Sequence, residues 1–208
     1  MNLKYLAAPF PRQAVHWRAQ TVGRNGDKAL ALAYLDARDV MDRLDMVCGP
    51  QNWQDEYTET ARGRVLCKIG IRVGDEWVWK SDGAGETAVE GEKGGISDAL
   101  KRAAVHWGIG RYLYRFDAVW CPSECKDTGK KDNWGNAIWR WSKWAANPWD
   151  FVKDAPTAPD EIARAMFQDL KGGKPPEQIN EADKKLVSTL VPSVYTKHIE
   201  PFFLEEAA

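Results

Sequence analysis

The chain has 208 residues, 44% of them hydrophobic and 28% charged, with a formal net charge of -1, a balance that excludes disordered and fibrous classes and suits a soluble globular protein. Its length holds one well-packed domain with an appended region, or two small domains, and no apolar run approaches a membrane span. Bulk charge advertises no polyanionic partner, yet residues 150–208 carry seven Lys/Arg against eleven Asp/Glu and leave 22 against 19, a net of +3, for residues 1–149, so a basic site must be a local concentration.

In chain order, the N-terminus MNLKYLAAPFPR is interrupted by Pro9 and Pro11 and lacks a signal-peptide layout, which sets a cytoplasmic expectation. A short helix is expected around Gln13–Ala19, then a turn at Gly23–Asp27. KALALAYL from Lys28 to Leu35 has helical propensity, but its alternation also suits a strand, and Asp36 as the cap of a new helix favours the strand. That helix, Asp36–Cys48, is expected to bury Val40, Met41, Leu44 and Val47 before Gly49-Pro50 stops it.

From Asn52 the apolar period changes to two, the mark of a β-meander. Strands are expected over Asn52–Thr60, Arg64–Val73 and Glu76–Lys80, with Gly74-Asp75 as the tight turn. In the second strand Val65, Cys67, Ile69, Ile71 and Val73 form one apolar face, and Arg64, Lys68 and Arg72 on the other span about 26 Å, several phosphate spacings. An ordinary solvated face is the bland reading. Ser81–Glu92 reads as a glycine-rich linker. Gly83-Ala84-Gly85 lacks dinucleotide or P-loop spacing and no Walker motif occurs, so an ATP-driven recombinase is disfavoured and no cofactor is expected.

The strongest helix signal follows. Ile96, Leu100 with Ala99, Ala103 and Trp107 recur at steps of three and four, leaving Asp98, Lys101 and Arg102 off the apolar stripe. Gly94-Gly95 costs about 1 kcal/mol per glycine relative to alanine, so either tertiary contacts or nearby capping hold the early turns from Glu92, or the helix begins at Ser97. Gly108 and Gly110 end the helix, and Arg111, Tyr112 and Tyr114 follow. Beyond lie Trp134, Trp139, Trp141, Trp144 and Trp149 among Lys130, Lys131, Arg140 and Lys143; these can stack on bases, though packing is the favoured role. Residues 151–159 read as a linker, and Asp160–Leu170 and Glu181–Leu190 as helices. Cys48 and Cys67 read as buried thiols, and Cys121-x-x-x-Cys125 finds no second ligand pair for zinc among His16, His106 and His198, so no metal is expected.

These residues carry a resemblance. Lys93, Ser97, Asp98, Leu100, Lys101, Arg102, Ala103 and Gly108 resemble the helix motif of the Rad52 (Rad22) family of single-strand annealing proteins. Residues 37–53, ARDVMDRLDMVCGPQNW, resemble its first core helix, and Arg64–Gly85 its hairpin and Gly-x-Gly. Several motifs in collinear order, over roughly Ala14–Tyr114, are more specific than one. The resemblance implies a strand over Lys28–Leu35 and an α+β fold: an antiparallel β-meander packed on a central α-helix, a β-β-β-α core, with a C-terminal helical extension. The expected organisation is an N-terminal helix and turn (1–27), an annealing core (28–120), a Trp-rich segment (121–150) and a helical tail (151–208).

The function implied is ATP-independent binding and annealing of single-stranded DNA in homologous recombination and double-strand break repair. It is non-enzymatic, performed by a homo-oligomeric ring of a compact bacterial or phage type, with a single-strand-binding protein as a further candidate partner. Lys101 and Arg102 match the family's Lys-Arg pair as first-choice phosphate contacts. Arg38, Lys68, Arg72, Lys80, Lys93 and Arg111 follow from charge and placement. The chain departs from the family where Val105 replaces a basic residue of eukaryotic members, and where Asp39 replaces another with Arg38 beside it. Two other readings compete: a coating module that binds single strands without pairing them, and a metal-dependent nuclease using Asp75, Glu76, Asp82 and Glu86.

Overall fold

The computed structural model describes residues 1–61, 63–84 and 92–204, the side chains of 92–94 excepted. Two compact units interleave along the sequence. One comprises Met1–Ala14, Leu35–Arg111 and Thr157–Ala208, the other Val15–Tyr34 and Tyr112–Pro156.

The first unit is built on the period-two stretch. Strands β3 (Trp53–Glu59), β4 (Val65–Val73) and β5 (Glu76–Ala84) form an antiparallel sheet in the order β3-β4-β5. Helix α2 (Glu92–His106) packs on β4 and β5. Cys67, Ile69 and Ile71 are buried as expected, facing Ala99, Leu100, Ala103 and Ala104 of the helix, all buried. This is the β-meander on a central helix that the sequence predicts. Helix α1 (Ala37–Cys48) buries Val40, Leu44 and Val47, and the Asp39 carboxylate accepts the Asp36 N–H at 3.1 Å across its first turn. Met41 is only half-buried, while Arg43 is buried in its stead. Helices α3 (Pro159–Lys171) and α4 (Glu181–Leu190) enclose a core of Ala163, Met166, Leu170, Val187 and Ile199, completed by a helical run from Pro192 to Leu204.

The strand end and one helix position in this unit need correction. Strand β5 runs to Ala84 rather than stopping at Lys80: Ser81, Asp82, Gly83 and Ala84 pair in register with Lys68, Cys67, Leu66 and Val65, so the ladder overrides their weak strand propensity. Helix α2 begins at Glu92, the first of the two starts the sequence leaves open. Gly95 is accommodated because a Cβ there would stand 3.3 Å from Val65 Cγ2, so its absence lets the helix approach β4 closely. Ile96 is 48% exposed, because the helix turns its alanine-rich side to the sheet.

The second unit is a four-stranded antiparallel sheet in the order β1-β2-β6-β7, with β1 at His16–Val22, β2 at Lys28–Tyr34, β6 at Val119–Lys131 and β7 at Ala137–Trp144. The helix expected over Gln13–Ala19 is instead one 3-10 turn, Arg12–Ala14, followed by β1. Exposure alternates from His16 to Ala19, and pairing with β2 from His16↔Tyr34 to Val22↔Ala29 supplies hydrogen bonds that a lone short helix cannot match. The strand at Lys28–Tyr34 is as expected. Ala31, Val119 and Cys121 form the core, covered by Trp17 and Trp144. Trp17 in turn lies parallel to Phe116 and edge-on to Trp149. Among the described residues no helix is long and apolar enough to cross a membrane.

Candidate nucleic-acid interface

Helix α2 is fixed to the sheet by its alanine-rich side, which leaves Asp98, Lys101, Arg102 and His106 on the opposite stripe at steps of three and four. Lys101 Nζ lies 3.1 Å from Asp98 Oδ1. Arg102 Nη2 lies 3.4 Å from Asp82 Oδ1 on β5, and His106 Nε2 is 3.4 Å from Asp82 Oδ2. The C-terminal end of the helix is closed by two more cations. Arg111 donates through Nε to the Val105 carbonyl and through Nη2 to the His106 carbonyl, both at 2.8 Å. Lys80 Nζ donates to the same His106 carbonyl at 2.9 Å and stands 4.3 Å from the Trp107 ring centroid. Cations at this position satisfy terminal carbonyls and complement the helix dipole. Trp107 donates to the Ile69 carbonyl at 3.1 Å, tying the helix end to β4.

Four cations, Lys80, Lys101, Arg102 and Arg111, therefore stand along α2 and its end with two carboxylates among them. Burial works against ionising Asp82, but the Gly83 N–H and the adjacent Arg102 and His106 outweigh it and hold the carboxyl below the usual carboxylate range. Since the folded value is lowered, the stabilisation is fully present above the unfolded value near pH 4. It is lost as pH falls through the lowered folded value.

The other face of the same sheet is different in character. Cross-strand register sets Glu56 beside Lys68 beside Ser81, and Arg72 beside Trp77. Trp79 lies over Gly70, where a Cβ would come within 2.9 Å of the indole. Glu56, Lys68, Trp79, Lys80 and Ser81 line an open pocket of about 420 Å³. Lys68 pairs with Glu56 and Arg72 with Asp75, both at 3.8 Å and both exposed.

The sequence-derived candidates thus fall into groups. Lys80, Lys101, Arg102 and Arg111 belong to α2 and its end, with Lys80 and Arg111 serving as helix-end donors. Lys68 and Arg72 lie on the opposite sheet face with Trp77 and Trp79. Arg38 is exposed on α1 and joins neither group by a hydrogen bond or ion pair among the described residues. The Lys93 side chain lies outside the described residues. Of the carboxylates considered for metal chemistry, Asp75 and Glu76 sit at the β4–β5 turn and Asp82 six residues from Glu76, about 20 Å along the strand; Glu86 lies outside the described residues. Sequence reasoning missed Asp82 as the shared partner of Arg102 and His106, and Trp77 and Trp79 as neighbours of Arg72 and Gly70. The period-two pattern of EWVWK carried that second signal, since alternate positions share a face.

The profile of the Rad52/22 family of double-strand break repair proteins matches residues 3–132. The single-stranded DNA-binding protein DdrA of Deinococcus deserti is 45% identical over 121 residues, which is 56% of this chain and 58% of that protein. DdrA of Deinococcus radiodurans, also a single-stranded DNA-binding protein, is 38% identical over 130 residues, 62% of each chain. The chain spans about three fifths of the length of these relatives. No solved structure matches it.

Proposed function

The chain belongs to the Rad52/22 family of double-strand break repair proteins, and from that premise we propose that it binds single-stranded DNA and pairs complementary strands without ATP. The observation that carries the reading is the stripe on α2: Lys101 and Arg102 project from a helix locked to its sheet, inside the stretch the family profile covers. Annealing makes no covalent bond. It requires phosphate repulsion to be lowered while the pairing edges of the bases stay open to sampling, and a line of fixed cations supplies the first condition through counterion release. A homo-oligomeric ring would present one long strand on many copies of this stripe, and a single-strand-binding protein would be the natural competitor for the same strand. The place of such an activity is homologous recombination and double-strand break repair.

The printed description of the two relatives, single-stranded DNA-binding, favours a second reading in which the protein coats a strand without pairing it. One experiment separates the two: pairing of complementary labelled oligonucleotides, without ATP and across a salt series, with and without the protein. Acceleration supports annealing. Tight binding with slowed pairing replaces it with coating.

The Asp82 contact gives this reading a test of opposite sign. Asp82→Asn removes the carboxylate that competes with a phosphate for Arg102, so binding of a short oligothymidylate is expected to tighten about threefold at 50 mM salt, with a steeper salt slope. Exposed ion pairs contribute little, so stability at neutral pH should fall by less than about 1 kcal/mol. Unchanged or weaker binding in the folded variant would remove Arg102 from the phosphate path.

A further inference from the structure

The β6–β7 hairpin carries features that packing does not explain. Trp134, at its tip, is 86% exposed, the most exposed large apolar side chain among the described residues. The other tryptophans of the segment are accounted for. Trp139 donates to the Arg24 carbonyl at 3.0 Å, Trp141 and Trp144 lie 5.1 Å apart, and Trp149 packs on Trp17 and Phe116. Trp134 makes no ring contact among the described residues, yet the turn that presents it is fixed. The Asp132 carboxylate accepts the N–H groups of Trp134 and Asn136, both at 2.9 Å, and the Asn136 side-chain amide at 3.0 Å, while Gly135 N–H closes on the Asp132 carbonyl. A large indole is therefore held out in water on a rigid support, which lowers the ordering cost of any contact it makes.

Charge indicates what that contact is. Lys126 stands directly opposite Arg140 across the ladder, a like-charge pairing that disfavours the hairpin itself. Lys130 and Lys131 lie just before the tip, and all four cations are exposed with no ion-pair partner among the described residues. The carboxylates of the hairpin are engaged: Glu124 with Lys143 at 3.0 Å, Asp127 with the Gly129 N–H at 2.8 Å, and Asp132 within the turn. Lysine is depleted from the cores of protein interfaces, so an exposed tryptophan at the end of a strand whose lysines have no ion-pair partner among the described residues suits a polyanion with stacking faces better than a second protein surface. A bulge between Asp127 and Lys131 sets Lys126 opposite Arg140 and Lys131 opposite Ala137, so the two lysines stand about 10 Å apart along the hairpin, enough to meet neighbouring phosphates of a single strand.

We propose that the β6–β7 hairpin is a second contact for single-stranded nucleic acid, in which Trp134 stacks on a base while Lys126, Lys130, Lys131 and Arg140 hold the flanking phosphates. It rests on the reading above for the identity of the polymer and adds a base-contacting element that the α2 cations lack.

The test uses the full chain with Trp134→Ala, Trp134→Phe and Lys130→Ala/Lys131→Ala, measured against labelled dT20 and an abasic 20-mer of equal charge. Trp134→Ala is expected to weaken dT20 binding about tenfold with the salt slope unchanged, to leave the abasic strand unaffected, and to be largely restored by phenylalanine. Lys130→Ala/Lys131→Ala should flatten the slope on both strands. If wild type binds dT20 and Trp134→Ala binds it equally well, the stacking site is refuted while the α2 reading stands. Equal loss on both strands with a changed sedimentation profile makes the tip a contact between copies and overturns the proposal. Failure of wild type to bind dT20 overturns both.

Discussion

Replacing Lys101 and Arg102 together by alanine should flatten the salt dependence of single-strand binding by about 1.4 units of log-log slope, at about 0.7 per phosphate contact. Carried from 1 M to 50 mM salt, that slope corresponds to roughly a 60-fold loss of affinity, shrinking toward none at high salt. The fold should survive. Both side chains lie on the solvent stripe, and their ion pairs, Lys101 with Asp98 and Arg102 with Asp82, are partly exposed, so together they contribute no more than about 1–2 kcal/mol. Alanine also costs nothing in helix propensity. The variant leaves Asp98 and Asp82 without those partners, so the four cations and two carboxylates of the stripe become two and two. Fluorescence anisotropy on an oligothymidylate at four salt concentrations measures the slope directly. A folded variant with wild-type slope would take the pair out of the site and shift the search to Lys68 and Arg72 on the other sheet face.

Periodicity predicted the parts of the fold whose burial is one-sided. Strand β4 alternates because α2 covers one face only, and α1, α3 and α4 show both an apolar stripe and end signals such as Asp36 before α1 and Asn180 before α4. Strands β6 and β7 escaped because their hairpin is exposed along most of its length: Val119, Cys121 and Ser123 alternate with exposed neighbours, but KDTGKK beyond them has no buried face to impose alternation. The last residues of β5 escaped for a related reason: Ser81, Asp82 and Gly83 have loop chemistry, and only pairing with β4 makes them strand.

The candidate site divided the same way. That Lys101 and Arg102 lie off the apolar stripe follows from the helical period, and an Asp98–Lys101 pair follows from i,i+3 spacing. The Asp82–Arg102 and Asp82–His106 contacts join residues more than a dozen positions apart, and local pattern carries no register between a strand end and a later helix. Arg111 illustrates the converse. Its position after the helix was plain, but its donors turn back to the Val105 and His106 carbonyls, so a residue chosen for charge also holds the helix end.

Arg43 was overlooked although the sequence placed it well, three residues after Val40 and four before Val47 on the buried side of α1. It is 4% exposed. Its guanidinium donates to the carbonyls of Tyr5 at 3.2 Å, Ala8 at 2.6 Å and Pro9 at 3.3 Å, and lies 3.9 Å from the Phe10 ring centroid. One side chain thereby replaces the hydrogen bonds that the Pro9 and Pro11 segment cannot make as a regular element. Arg43→Ala leaves these acceptors unmatched and opens a cavity beside Phe10, so the expected loss is about 3 kcal/mol. That corresponds to a melting temperature lower by about 6–12 °C for a chain of this size. Lysine should not restore it, because an ammonium lacks the planar fork that reaches several carbonyls while stacking on a ring. Arg38→Ala, exposed on the same helix, should stay within about 0.5 kcal/mol of wild type. Amide exchange at residues 3–10 locates the effect: if Arg43 anchors this segment, protection there falls before that of β4. A variant that melts with wild type would mean that the carbonyls of residues 5–9 find other donors, and that the buried cation is held by the fold rather than holding it.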